Sequence, residues 1–230
     1  MIISMSGVDC AGKSTQIELL KQYFISRGKK CTVFWYRPGY SDQMQDLKKL
    51  VRPLMGMACS FKHGLDRWRK VPKTEAKPEA VGDAKDGKPS VPAPIWLSTA
   101  IVDTIVQWGL KLRYLNRKYD VVICDRYIED AKLDLMLKFP QYTWTESTMK
   151  LLAHGLPKPD FAFLLMISEE EMRKRAEIKQ EPFPDNEHIR QMRYRAYEFV
   201  AERDDITVID SSGEVSETHR KIREVIEKRG

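Results

Sequence analysis

The sequence predicts an α/β fold of three layers, a five-stranded parallel sheet with helices on both faces. Three observations carry this expectation. Short apolar runs alternate with stretches of helical periodicity along the chain, the pattern of strands joined by crossover helices. The first apolar run enters a glycine-rich turn that leads straight into the first helical stretch. Of the 230 residues, 42% are apolar and 31% charged, a globular balance with material for one full core.

Residues 1–6 predict the first strand. Lys13–Ser26 predicts a helix, with Ile17, Leu20 and Phe24 on one face and Gly28 just beyond its end. Residues 31–36 form a second strand, closed by Arg37-Pro38-Gly39, and 42–54 a helix whose buried stripe is Met44, Leu47, Leu50, Val51 and Leu54. The stretch 62–94 differs: it holds five prolines, three glycines and many charges without an apolar period, the composition of a surface insertion. The apolar segment 95–115 is the expected central helix. Strands follow at 121–124 and 161–167, the latter entered through Pro157-Lys158-Pro159-Asp160. Ser168-Glu169-Glu170-Glu171 has the order of a capping box and opens a helix carrying Arg173, Lys174 and Arg175. A helix at 188–203, a last strand at 206–209 and an amphipathic helix at 215–227 complete a single domain spanning 1–230.

Lys and Arg number 39 against 33 Asp and Glu, a net charge of +6. The charges are interspersed rather than gathered in one run, which favours a small anionic substrate over a nucleic-acid groove. No stretch approaches the ~20 apolar residues of a membrane span, and the start lacks the basic region of a secretion signal. The four cysteines show no C-x-x-C pair, and Cys31 and Cys124 sit in or beside apolar runs as reduced thiols. A cytoplasmic location is the expectation.

Gly7-Val8-Asp9-Cys10-Ala11-Gly12-Lys13-Ser14 matches G-x-x-x-x-G-K-[ST], with the strand before it and the helix after it that this motif requires. Such a loop turns backbone N–H groups inward around phosphate, and the helix N-terminus adds partial positive charge. This defines a P-loop NTPase fold whose ligand is ATP with Mg²⁺. The phosphate-facing set is Gly7, Asp9, Cys10, Ala11, Gly12, Lys13, Ser14 and Thr15; Lys13 bridges the β- and γ-phosphates and Ser14 ligates the metal. A guanine-reading N-K-x-D motif is absent, which argues against a nucleotide switch.

The strand at 121–124 runs into Asp125-Arg126-Tyr127. A carboxylate at the carboxyl end of such a strand lies where Mg²⁺ or its water ligands are held. A guanidinium beside it can grip a second phosphate bidentately, a grip that a kinase of phosphorylated acceptors needs and a plain ATPase does not.

With these motifs in place, the chain resembles the thymidylate kinase family. The resemblance is carried by Gly7-Val8-Asp9 through Ala11-Gly12-Lys13-Ser14-Thr15, by Asp125-Arg126-Tyr127, by Gly155-Leu156-Pro157-Lys158-Pro159-Asp160, and by the Arg-rich stretch after Ser168-Glu169-Glu170. It implies transfer of the ATP γ-phosphate to a nucleoside monophosphate, dTMP favoured. It implies that Asp9 accepts a hydrogen bond from the acceptor sugar and that Arg126 holds the acceptor phosphate. Arg37, Trp96 and Tyr127 would complete the acceptor site. Arg175 and Arg173 would reach over ATP from a lid at about 173–190, and two chains would pair as a homodimer.

The chain also departs from the family. Ala100 stands four residues after Trp96, where the family carries a base-reading Arg after its stacking aromatic. Glu129 and Asp130 follow Tyr127, where carboxylates would repel a phosphate unless they meet a metal or sugar hydroxyls. Two other readings therefore stand beside the first: a kinase of the same fold with a different acceptor, such as a deoxynucleoside, and a non-catalytic ATP-binding module.

Overall fold

The computed structural model describes residues 1–38, 93–179 and 187–229. The expected helix at 42–54, the body of the insertion at 62–94 and the centre of the lid lie outside the described residues. In chain order the elements are β1 (Ile2–Gly7), α1 (Lys13–Ser26), β2 (Cys31–Trp35), α2 (Ala93–Thr104), a π-helical segment (Ile105–Lys111), α3 (Leu112–Lys118) and β3 (Val121–Asp125). There follow α4 (Ile128–Lys138), α5 (Trp144–Gly155), β4 (Phe161–Met166), α6 (Glu169–Lys179), α7 (Glu187–Ala201), β5 (Thr207–Asp210) and α8 (Val215–Arg229).

The five strands make one sheet in the order β2-β3-β1-β4-β5, every neighbouring pair parallel. β1 sits at the centre, with Ile3 opposite Ile123 on one side and Phe161 on the other. Its residues are all buried, which a strand covered on both faces requires. Alternation sends Ile3 and Met5 into the core that Ile17, Leu20 and Phe24 of α1 share with Ile222 and Ile226 of α8. Burying each such side chain contributes about 1.5–3 kcal/mol. Ser4 and Ser6 alternate with them, and Ser6 Oγ donates to Asp130 of α4 at 2.5 Å on the opposite face. The expected three-layer fold is the observed one.

The chain divides into two compact units, Met1–Tyr36 with Gln107–Gly230, and Arg37–Val106. In the second, α2 starts two residues earlier than expected, and Pro94 fits because a first helical turn has no use for its missing N–H. α2 buries Ala93, Trp96, Leu97 and Ala100.

Two differences from expectation have physical reasons. The segment 95–115 is not one uniform α-helix, because the turns from Ile105 to Lys111 are π-helical. Trp108, fully buried there, meets Tyr36 at 5.0 Å and Tyr127 at 4.9 Å between ring centroids. Helices α4 and α5 went unread in the sequence. The buried face of α4 contains Asp130 and Asp134, which break its apolar period, while α5 buries only Thr145 and Met149.

Candidate active site

The cradle is built by backbone that few residue types can supply. At Gly7 (φ 153°) a Cβ would stand 2.3 Å from the carbonyl oxygen of Leu165, so strand β4 excludes any side chain there. Val8 N–H donates to that same oxygen at 3.2 Å and fixes the exit from β1. The turn then passes through left-handed Cys10 (φ 62°) and Gly12 (φ 80°), and Gly12 caps α1 by accepting from Gln16 N–H at 3.0 Å. Lys13 folds back over the loop, its Nζ donating to Gly7 O at 2.9 Å and Val8 O at 2.7 Å. Burial pushes the Lys13 ammonium below its ordinary pKa, the Asp9 carboxylate opposes this, and Arg126 adds to it. Ser14 and Thr15 are exposed on the first turn of α1.

Asp125 ends β3 directly beside β1, in register with Met5, and this places it at the carboxyl edge where the cradle opens. Burial raises its pKa, although Arg126 and Lys13 pull the other way. Arg126 turns the chain out of the sheet with φ 77°, its N–H donating to Met5 O at 3.2 Å. Among the described residues, Cys10 and Arg126 are the non-glycine positions with positive φ. Such strain costs on the order of 1–3 kcal/mol and gathers where function requires a particular backbone course.

One of the two carboxylates noted after Tyr127 organises this corner through partners the sequence did not reveal. Asp130, fully buried, accepts from Ser6 Oγ at 2.5 Å, from Tyr127 N–H at 3.0 Å and from the Tyr197 hydroxyl at 2.6 Å. Its Oδ1 lies 3.9 Å from Arg126 Nη1. Burial lowers the Arg126 pKa, but Asp130, Tyr197, Asp134 and Asp9 outweigh it and the net direction is upward. Glu129 and Asp130, expected to repel a phosphate unless they met a metal or sugar hydroxyls, both face protein donors and cations. Asp130 is spent on these donors, and Glu129 pairs with Lys132 at 3.1 Å and Arg203 at 2.5 Å. One turn along α4, Asp134 pairs with Arg193 of α7 at 2.6 Å, both nearly buried. The one sequence signal for Asp130 was its place in the first turn of a helix, where a carboxylate can cap free N–H groups.

The remaining expected residues separate. Arg175 reaches the cradle: its Nη1 donates to Cys10 O at 3.4 Å and Ser211 O at 3.3 Å, its Nη2 to Ser212 O at 3.0 Å. Its Nε is held by Glu171 at 2.7 Å. In the capping box at Ser168, the hydroxyl accepts from Glu171 N–H at 3.2 Å, while the Glu171 carboxylate turns to Arg175. Arg173 is half-exposed and paired with Glu169 at 2.9 Å and Glu187 at 3.0 Å. Tyr127, expected among the acceptor contacts, has its hydroxyl donating to Pro157 O and its ring packed on Trp108. Arg37 and Trp96 belong to the second compact unit, where Trp96 is buried at 5% exposure.

The donor set fits Mg²⁺. Ser14 and Asp125 offer hard oxygens, and the under-solvated Asp125 carboxylate is a group that a cation would relieve. Among the described residues no cluster of three or more His, Cys, Asp or Glu could cage a metal alone. A metal that takes most of its ligands from phosphate and water needs no such cluster.

A five-stranded parallel sheet with this cradle after β1 and an acid after β3 is the architecture of a P-loop protein. The sequence profile of the thymidylate kinase family, described as "Thymidylate kinase", matches residues 107–222, half of the chain. The chain belongs to the thymidylate kinase family. A thymidylate kinase of Campylobacter lari (strain RM2100 / D67 / ATCC BAA-1060) is 47% identical over 51 residues, which is 22% of this chain and 24% of that relative's length. The profile match begins beyond the cradle, so Gly7 to Ser14 stand on their own motif and geometry. No helix among the described residues is long and apolar enough to cross a membrane.

Proposed function

We propose that the chain transfers the γ-phosphate of ATP to the phosphate of a nucleoside monophosphate, with dTMP the favoured acceptor. The observation that carries this reading is the strained Asp125-Arg126 corner, set beside the cradle by the β1–β3 pairing and faced by buried Asp130 at 3.9 Å. An ATPase has no need of a second cationic grip, whereas a phosphorylated acceptor does.

In this reading, Lys13 leaves the loop carbonyls for the β- and γ-phosphate oxygens, while the loop N–H groups and the N-terminus of α1 hold the β-phosphate. Ser14 and Asp125 hold Mg²⁺, which neutralises charge between the phosphates. Arg126 fixes the acceptor phosphate in line, and Asp9 accepts from the acceptor sugar. Arg175, already against Cys10 O, contributes positive charge on the cradle's other side. Transfer through a loose transition state asks for positioning and charge rather than a strong base, and this set supplies both.

The test is a panel of nucleoside monophosphates, deoxynucleosides and a no-acceptor control, each assayed for ADP release with ATP–Mg²⁺. Acceptor-dependent release that is greatest with dTMP is the expected result. Equal release with every member would reject the reading. Arg126→Ala should lower turnover at least ~100-fold while ATP binding persists. Ala100, buried at the position where the family reads the base with an Arg, favours one second reading, a different acceptor. The same panel identifies it.

Family membership also supports pairing of two chains and a cytoplasmic setting. Leu110 and Tyr114, one turn apart, stand 64% and 61% exposed and offer apolar surface for a second copy. Light scattering of the parent and of Leu110→Glu tests the dimer.

A further inference from the structure

A cavity of about 520 Å³ lies on the α4–α5 side of the sheet, and it shares no residue with Gly7 to Thr15, Asp125, Arg126 or Arg175. Its floor is Ser4, Ala162 and Leu164, and Ile128, Leu156 and Val200 form its apolar walls. Lys158 and Pro159, which precede β4, and Asp205 and Ile206, which precede β5, also line it. It therefore runs along this face of the sheet from the amino ends of β4 and β5 to Ser6 and Tyr127 near the carboxyl ends of β1 and β3, without including a residue of the phosphate cradle.

Two independent features give this cavity a ligand chemistry. The first is charge. Lys132, Lys150, Lys158 and Arg203 line it against two carboxylates, Glu129 and Asp205. Glu129 is already shared between Lys132 at 3.1 Å and Arg203 at 2.5 Å, and Asp205 is held by Arg203 at 2.7 Å. Lys150 pairs at 2.6 Å with Glu146, which lies outside the lining. Exposed Lys158 has no hydrogen bond or ion pair among the described residues, so the rim keeps positive charge. The second feature is the Ser4 hydroxyl. Ser4 is 4% exposed, it lines the cavity, and among the described residues its side chain makes no hydrogen bond, so its hydroxyl is left to a partner inside the cavity, water or a ligand.

We propose that this cavity is a second ligand site, for a small amphipathic anion: an apolar ring system or short chain bearing one anionic headgroup. The apolar body lies on Ala162, Leu164 and Val200. The headgroup meets the lysine rim, and a polar atom of the ligand reaches Ser4. The volume is that of ordinary small-molecule sites, which pair an apolar lining with a few placed polar groups.

The probe is 1-anilinonaphthalene-8-sulfonate, titrated by fluorescence into the full chain with and without saturating ATP–Mg²⁺. The expected result is one saturable site whose affinity ATP does not change. N-phenyl-1-naphthylamine, the same ring system without the sulfonate, should bind at least about tenfold more weakly. Lys158→Glu should weaken the sulfonate probe about tenfold and Lys158→Arg should restore it, while Ala153→Trp, which fills the cavity from α5, should abolish binding. Thermal melts verify that Ala153→Trp folds, and Lys158→Glu, on the surface, decides the matter if it does not. The proposal is overturned by displacement of the probe by ATP, by equal binding of the charged and uncharged probes, or by unchanged affinity in Lys158→Glu. Because the titration needs no catalysis, its failure is distinct from failure of the kinase reading.

Discussion

Replacing Gly7 with alanine adds one carbon at the point where the phosphate loop leaves the sheet. That carbon would lie 2.3 Å from Leu165 O and 3.0 Å from both Leu165 C and N. Ordinary contact begins near 3.4 Å, so loop and strand must separate by about 1 Å. The atoms met are backbone, and Leu165 belongs to β4, paired on one side with β1 and on the other with β5. The strand cannot yield alone. Overpacking of this kind costs ~1–3 kcal/mol, which for a chain of this size lowers Tm by on the order of 5 °C. The larger effect falls on the chemistry, because a displacement of ~1 Å in a positioning loop costs ~100-fold in rate. Gly28→Ala is the control. Gly28 also has positive φ, at 72°, but nothing lies within 4 Å of its would-be Cβ. That variant should lose about 1 kcal/mol through backbone strain and retain its turnover. Thermal denaturation and steady-state ADP release, measured on both variants, make the comparison. If Gly7→Ala keeps parental turnover, or if the two variants lose turnover alike, the steric account of the cradle is wrong.

Asp130→Asn keeps the shape but removes the charge facing Arg126 and sets an amide donor either against Ser6 Oγ and Tyr127 N–H together or against the Tyr197 hydroxyl. The acceptor KM should rise about tenfold with the ATP KM unchanged, at ~1–3 kcal/mol of stability; a parallel rise in both KM values would argue for general disruption. Arg193→Met removes the 2.6 Å ion pair of nearly buried Asp134, and should lower the free energy of unfolding by ~3–5 kcal/mol in a urea titration. Burial pushes the thiol of Cys31 up to about 11 and that of Cys124 up to about 12, so at pH 8 each is almost wholly protonated and unreactive. Alkylation by iodoacetamide, read peptide by peptide, should proceed faster at Cys10 than at either, and ATP–Mg²⁺ should slow it there. Because both pKa values are raised, the rates at Cys31 and Cys124 should climb only as the pH approaches those values while the fold persists. Rapid modification of Cys124 at pH 8 would contradict the packing described for β3.

The class of fold and the phosphate cradle were legible in the sequence because both are written locally. Strand and helix periods occupy contiguous residues, and Gly7, Gly12, Lys13 and Ser14 perform their work within one turn of chain. Asp125 and Arg126 were legible for the same reason, standing at the end of an apolar run. The partners that hold them were not. Asp130 meets Ser6 at a separation of 124 residues and Tyr197 at 67, and Asp134 meets Arg193 at 59. No period or spacing encodes contacts over such distances; they exist only once β1, α4 and α7 are packed together. Packing likewise set the Tyr127 hydroxyl on Pro157 O and brought Arg175 to the loop. The sequence alone determined the glycine-rich cradle and its place between β1 and α1, since backbone conformation and a few adjacent residues suffice for that. Only the tertiary structure decided which buried carboxylate steadies the second grip and where the lysine-rimmed cavity lies, because burial and charge pairing are properties of the assembled chain.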